Sequence, residues 1–136
     1  MKIFIDTSAI IAYFNADDRF HGEAEGIMRD LTEGGIPLTR LYVSDYVFDE
    51  AVTFIECVLR DHALAVDVGE ALLSSPFTTM LRVEEETFEQ AWERFRAGEG
   101  PSFTDCSSFA LMERLGISHA FTFDRHFTEA GFQVLP

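Results

Sequence analysis

Short apolar runs without polar alternation recur along this chain between helical stretches, and this pattern limits the fold more than any other feature. Ile3-Phe4-Ile5 runs into Asp6, Leu41-Tyr42-Val43 into Ser44-Asp45, and Ala120-Phe121-Thr122-Phe123 into Asp124. Such runs are too short and too rich in β-branched and aromatic residues for helices. A strand that is apolar at consecutive positions must be covered on both faces, as in a parallel sheet. Strands are expected over residues 2–6, 41–43, 78–83, 119–123 and 132–135. Helices are expected over 9–14, 21–31, 44–60, 66–73, 84–96 and 102–115, with a turn or two at 125–130. Alternating strands and helices imply an α/β fold, and the length suits one domain over residues 1–136.

Charge and lysine usage exclude several functions. Twenty-four acids against ten bases give a net charge of −14, and Lys2 is the only lysine. A phosphate-binding GK[ST] loop is therefore missing. So is the lysine that a receiver domain or a haloacid-dehalogenase-type phosphatase places after a later strand; the latter's second aspartate is replaced by Ser8. No HExxH or Cys/His cluster suggests zinc, and no GxSxG suggests a serine hydrolase. The acid excess resembles proteins of a high-salt cytoplasm. Cys57 and Cys106 form no CxxC pair and are expected to be small buried hydrophobes in a reducing, cytoplasmic setting. No apolar window approaches the ~18 residues of a membrane span. His62 and His119 have no ligand-spaced partner, and His21 at a helix start and His126 in a short turn are each readable as exposed and idle. Phe103, Phe109, Phe121, Phe123 and Phe127 are expected in the core.

Four carboxylates remain at positions that one metal site would explain. Asp6 and Asp124 end apolar strands, where open α/β sheets bind their ligands. Asp6 is either a cap for the next helix or a site residue, and Thr7 or Ser8 would cap equally well. Glu50 lies about 90° from the polar stripe of Asp49, Thr53, Glu56 and Arg60 on a helical wheel. It is either the edge of the solvated face or a functional acid, whereas Asp49 is surface. Asp105 shares core spacing with Phe109 and Met112, although a capping box with Ser102 would also account for it. Asp124 is either a turn-starting aspartate or part of the same site. An ionised carboxylate among apolar side chains costs several kcal/mol unless compensated. With few basic residues near in sequence, a divalent cation is the simplest compensation, because hard cations prefer oxygen.

Four segments, Lys2-Ile-Phe-Ile-Asp6-Thr-Ser8, Ser44-Asp-Tyr-Val-Phe-Asp-Glu50, Ser102-Phe-Thr-Asp105 and Phe121-Thr-Phe-Asp124-Arg-His-Phe127, resemble in order the motifs of PIN domains. The similarity is to the toxin ribonucleases of VapBC toxin–antitoxin pairs in particular. It implies a three-layer α/β/α fold with a central five-stranded parallel sheet. It also implies an endoribonuclease dependent on Mg²⁺ or Mn²⁺, with Asp6, Glu50, Asp105 and Asp124 as catalytic acids and metal ligands. Asp6 and Asp105 would bind directly, Asp124 directly or through water, and Glu50 through a second ion or the attacking water. Thr7 or Ser8 and Thr122 would be accessory, and the products would carry 5′-phosphate and 3′-hydroxyl ends. An RNA substrate, a small antitoxin and a homodimer are the implied partners, with no membrane. The same resemblance admits a PIN nuclease of RNA processing or a non-catalytic PIN module. Arg40, Arg82 and Arg125 are the arginines expected to line a groove against the unfavourable net charge.

Overall fold

The computed structural model describes residues 1–37 and 40–136. Five strands form one parallel sheet in the order β3-β2-β1-β4-β5, with β1 Lys2–Ile5, β2 Arg40–Ser44, β3 Thr78–Leu81, β4 His119–Phe121 and β5 Gln133–Leu135. Between them run α1 Thr7–Phe14, α2 His21–Glu33, α3 Asp45–Cys57, α4 His62–Ser74, α5 Glu85–Ala97, α6 Phe103–Leu115 and α7 Arg125–Glu129. The chain steps from β1 to β2 to β3 in one direction, then returns across the sheet to β4 and β5 in the other. Right-handed crossovers therefore put α1–α4 on one face and α5–α7 on the opposite face. This is the expected α/β/α arrangement.

The apolar runs do what their composition requires. Ile3, Phe4 and Ile5 of β1 are buried, as are Ala120 and Phe121 of β4 beside it. Phe109 of α6 and Phe127 of α7 pack edge to face at 4.9 Å under that side of the sheet. Each such fully buried side chain contributes about 1.5–3 kcal/mol of transfer free energy. The register of β1 on β4 pairs Phe4 with Ala120 and Ile5 with Phe121, so the next residues, Asp6 and Thr122, come out side by side. They emerge where the strand order reverses, the crevice in which open α/β sheets bind ligands.

Several boundaries differ from expectation for identifiable reasons. Helix α1 begins at Thr7 and not Ala9, because Asp6 itself is the cap and accepts from the Ser8 amide. Helix α4 begins at His62, four residues early, because Asp61 caps it through the Leu64 amide at 3.0 Å. Strand β4 stops at Phe121, since Thr122 and Phe123 turn away to bond the start of α1. Cys106 is buried as expected, but Cys57 is exposed at the end of α3.

Candidate active site

Each of the four carboxylates starts or lines a helix at one end of the sheet, and local chemistry holds three of them there. Asp6 caps α1, and its Oδ2 accepts from Ser8 Oγ at 2.9 Å and Thr122 Oγ1 at 3.0 Å. Thr122 Oγ1 in turn accepts from the Asp124 amide at 2.9 Å, and Ser8 Oγ from the Phe123 amide at 2.9 Å. These bonds tie the ends of β1 and β4 into one polar knot. Asp124 caps α7 by accepting from the His126 amide at 2.9 Å. Asp105 closes the capping box of α6: its Oδ2 accepts from the Ser102 amide and its own amide donates to Ser102 Oγ, both at 3.0 Å. Glu50 stands midway along α3, whose cap is Ser44 accepting from Val47. Capping and site placement are therefore compatible at Asp6, Asp105 and Asp124.

All four acids line one open cleft of about 960 Å³, together with Thr7 and Ser8, near the upper end of ordinary ligand sites. Asp6 is 3% exposed and Asp105 6%, whereas Glu50 and Asp124 are half-buried. Burial, and then the charge of Asp105, push the Asp6 carboxyl up to about 7, against the lowering effect of the Ser8 and Thr122 hydroxyls. The Asp105 carboxyl is also raised, first by burial and then by the charges of Asp124 and Glu50. Asp105 is thus the acid at which the charges meet: its charge raises Asp6, and those of Asp124 and Glu50 raise it. Among the described residues, no lysine or arginine forms an ion pair with any of them; only the His126 ring comes close.

Three features show that the donor set suits a divalent cation. Three donors to Asp6, the Ser8 amide, the Ser8 hydroxyl and the Thr122 hydroxyl, all converge on its Oδ2. Thr7 Oγ1 is buried at the cleft without a hydrogen-bond partner. One donor atom each from Asp105, Asp124 and His126 fall within 4.8 Å of one another. Asp6 and Glu50 line the same cleft but stand outside that tight group. Oxygen-rich, repelling and uncompensated, such a set is what hard cations bind.

The arginine expectations need correction. Arg125 lines the cleft. Arg40 stands at the opposite end of β2 from the site, donating to Thr79 Oγ1 at 2.6 Å and the Pro76 carbonyl at 3.0 Å. Arg82 follows the edge strand β3 and does not reach the cleft. Arg19 was not foreseen; it lines the cleft while stacking 4.4 Å over the Phe20 ring. Phe20 stacks in turn on Phe123 at 4.7 Å, so Phe123, half-buried against the core, also forms a cleft wall. Phe103 is likewise only half-buried, against Trp92 and Phe95 of α5. His21 is not idle either, because its Nδ1 meets the Ala12 carbonyl at 2.8 Å and joins α2 to α1. His126 is the larger miss, and its one signal was its place two residues after a strand-end aspartate.

A parallel sheet in this order, with acids gathered at the ends of β1 and β4, is the architecture of a small nuclease domain. The chain matches the PIN domain family over residues 3–133 and belongs to it. It is 37% identical, over 96% of its length and 95% of the relative's, to the 23S rRNA-specific endonuclease VapC20 of Mycobacterium tuberculosis, in strains CDC 1551 and H37Rv alike. The crystal structure of that VapC20, a sarcin–ricin loop cleaving toxin, superposes with a TM-score of 0.84 at 33% identity, covering 98% of this chain and 99% of that one. A chain of FitAcB from Neisseria gonorrhoeae shares the fold with a TM-score of 0.67 at 17% identity, covering 98% and 96%.

Proposed function

We propose that this chain, as a single nuclease domain over residues 1–136, is a divalent-metal-dependent endoribonuclease and the toxin of a type II toxin–antitoxin pair. The observation that carries this is the cleft itself: Asp6, Glu50, Asp105 and Asp124 line one crevice with no lysine or arginine paired to them among the described residues. The full-length similarity to VapC20 supports RNA as the polymer, and the family match over residues 3–133 supports a single domain. Asp6, Asp105 and Asp124 would hold Mg²⁺ or Mn²⁺, with Glu50 serving a second ion or orienting the attacking water. Bound there, the cation would neutralise the acids and act as a Lewis acid towards the phosphodiester and the water that attacks it.

The chain's own groups do the rest. Ser8 and Thr122 hold Asp6 through Oδ2 at the cleft wall. Ser102 fixes Asp105 through the capping box. Arg19 and Arg125 sit where they would meet phosphates beside the scissile bond, and the Phe20–Phe123 stack walls one side of the cleft. A small basic antitoxin suits a surface of net charge −14, and a homodimer accords with the partly exposed Phe88, Trp92 and Phe95 of α5. No helix among the described residues is long and apolar enough to cross a membrane, and we place the protein in the cytoplasm, where ribosomal RNA is found.

The test is cleavage of total RNA and of a 23S rRNA stem-loop with Mg²⁺ or Mn²⁺, with and without EDTA, alongside Asp6→Asn and Asp105→Asn. Metal-dependent internal cuts leaving 5′-phosphates, weakened on the order of 100-fold in either variant, are expected. A 2′,3′-cyclic phosphate product, or EDTA-resistant cleavage, would overturn the proposal.

A further inference from the structure

Within the cleft, His126 has a placement that four carboxylates alone do not require. It is the second residue of α7, and its Nδ1 is buried, 2.9 Å from Asp124 Oδ1 and 3.8 Å from Asp105 Oδ2. It makes no aligned hydrogen bond to either. The backbone fixes this position, because the His126 amide donates to the same Asp124 oxygen at 2.9 Å. The far edge of the ring rests on the loop before α6. There Gly100 has φ +111°, and a Cβ in its place would stand 3.2 Å from His126 Nε2. The glycine leaves room for the imidazole to lie with one nitrogen against that loop and the other facing the acids.

Adjacent donors of an octahedral ion with bonds of about 2.1 Å stand about 3 Å apart. The two separations from Nδ1 are of that order, and the three donor atoms all lie within 4.8 Å of one another. We infer that His126 Nδ1 is a nitrogen donor to the cation site, beside Asp105 and Asp124, which makes the site selective for Mn²⁺ and the later first-row cations over Mg²⁺. This rests on the metal reading proposed above. Imidazole is a borderline donor that Mn²⁺, Co²⁺ and Zn²⁺ accept and Mg²⁺ avoids. Coordination through Nδ1 requires the proton on Nε2, and the partner of the non-ligating nitrogen sets that tautomer. On the loop side, the arrangement gives Gly100 a role that the four acids do not explain.

The experiment is pulsed electron paramagnetic resonance of Mn²⁺ bound to the full chain, read for ¹⁴N coupling. It is repeated with ¹⁵N-histidine protein and with His126→Gln and His126→Asn, each checked by thermal melting. Calorimetric titrations with Mn²⁺ and with Mg²⁺ run beside it. The expected result is nitrogen coupling in the parent that vanishes in both variants, with Mn²⁺ affinity falling about tenfold and Mg²⁺ affinity by less than about twofold. Bound Mn²⁺ without nitrogen coupling, or equal loss for the two metals, would overturn the assignment and leave His126 a counter-charge to the acids. No Mn²⁺ binding by the parent would instead refute the metal reading of the carboxylates. The parent spectrum alone decides the matter if a variant fails to fold.

Discussion

The raised carboxyl of Asp6 makes a prediction that separates its charge from its fold. Its value moves from 3.8 in the unfolded chain to about 7 in the native protein, chiefly through burial and the charge of Asp105. Between those values the unfolded chain has released the proton and the folded one retains it. Stability is therefore lost as pH rises through this window, and the loss is complete above pH 7. At 1.36 kcal/mol per unit, the ionised side chain costs the metal-free fold about 4 kcal/mol at pH 8. Asp6→Asn mimics the protonated acid, since its amide oxygen can take the place of Oδ2 and accept from Ser8 and Thr122.

With an unfolding entropy of about 2.1 cal/mol/K per residue, a gain of that size corresponds to roughly 15 °C in a chain of this length. The assay is thermal melting of parent and variant in EDTA at fixed ionic strength from pH 4 to pH 8. The variant should melt well above the parent at pH 8, and the gap should close towards pH 4. Mn²⁺ at 100-fold over Kd should then close most of the gap, because binding adds about 2.7 kcal/mol to the parent. A variant that melts at or below the parent at pH 8 in EDTA would refute the claim that this carboxylate is held at the expense of stability.

Thr122→Val removes both the donor to Asp6 Oδ2 and the acceptor of the Asp124 amide; a loss of about 1–3 kcal/mol in denaturant unfolding is expected, with weaker cleavage. Ser102→Ala removes the hydroxyl that accepts from the Asp105 amide in the capping box of α6, costing about 1 kcal/mol in a melting curve, while the Ser102 amide still holds the Asp105 carboxylate, so that Mn²⁺ affinity changes little. Arg19→Ala should weaken RNA binding by inactive Asp105→Asn protein in filter assays and flatten its salt dependence by about 0.7 in log–log slope, the share of one single-strand phosphate contact. Arg40→Ala should leave both unchanged, because Arg40 is at the far end of the sheet.

What was legible beforehand depended on how far a residue's role reaches along the chain. Asp6 and Asp124 announced themselves because a charge at the end of an apolar run is a local anomaly, and the parallel sheet turns two such ends into neighbours. Glu50 and Asp105 were visible through helical periodicity alone. His126 was not, because its role needs Asp105, twenty-one residues earlier, brought beside the start of α7. Arg40 was expected at the groove and Arg19 was overlooked for a similar reason: sequence shows a base near a strand, but not which end of the sheet it serves. Helix starts were misjudged where one aspartate, Asp6 or Asp61, caps earlier than the apolar pattern begins.

The net charge of −14 bears on how RNA enters the cleft, and the side chains there give a sharper account than the total. Arg94, Arg96 and Arg114 are paired with Glu113, Glu93 and Glu86 on the α5–α6 surface and do not line the cleft. The cleft itself carries Asp6, Asp18, Glu50, Asp105 and Asp124 against Arg19 and Arg125, and Arg125 also faces Glu129 at 3.6 Å. Fully ionised, it is negative by three charges and repels phosphate. One divalent cation leaves it negative by one, and a second makes it positive. Cation binding should therefore precede RNA binding and couple to it favourably. By linkage the coupling is reciprocal: RNA must tighten the cation by the same factor. Mn²⁺ should strengthen RNA binding by inactive Glu50→Gln protein about tenfold at constant ionic strength, while NaCl of equal strength does not. Equal effects of the two salts would mean that screening alone admits the RNA, and that the cation serves the chemical step only.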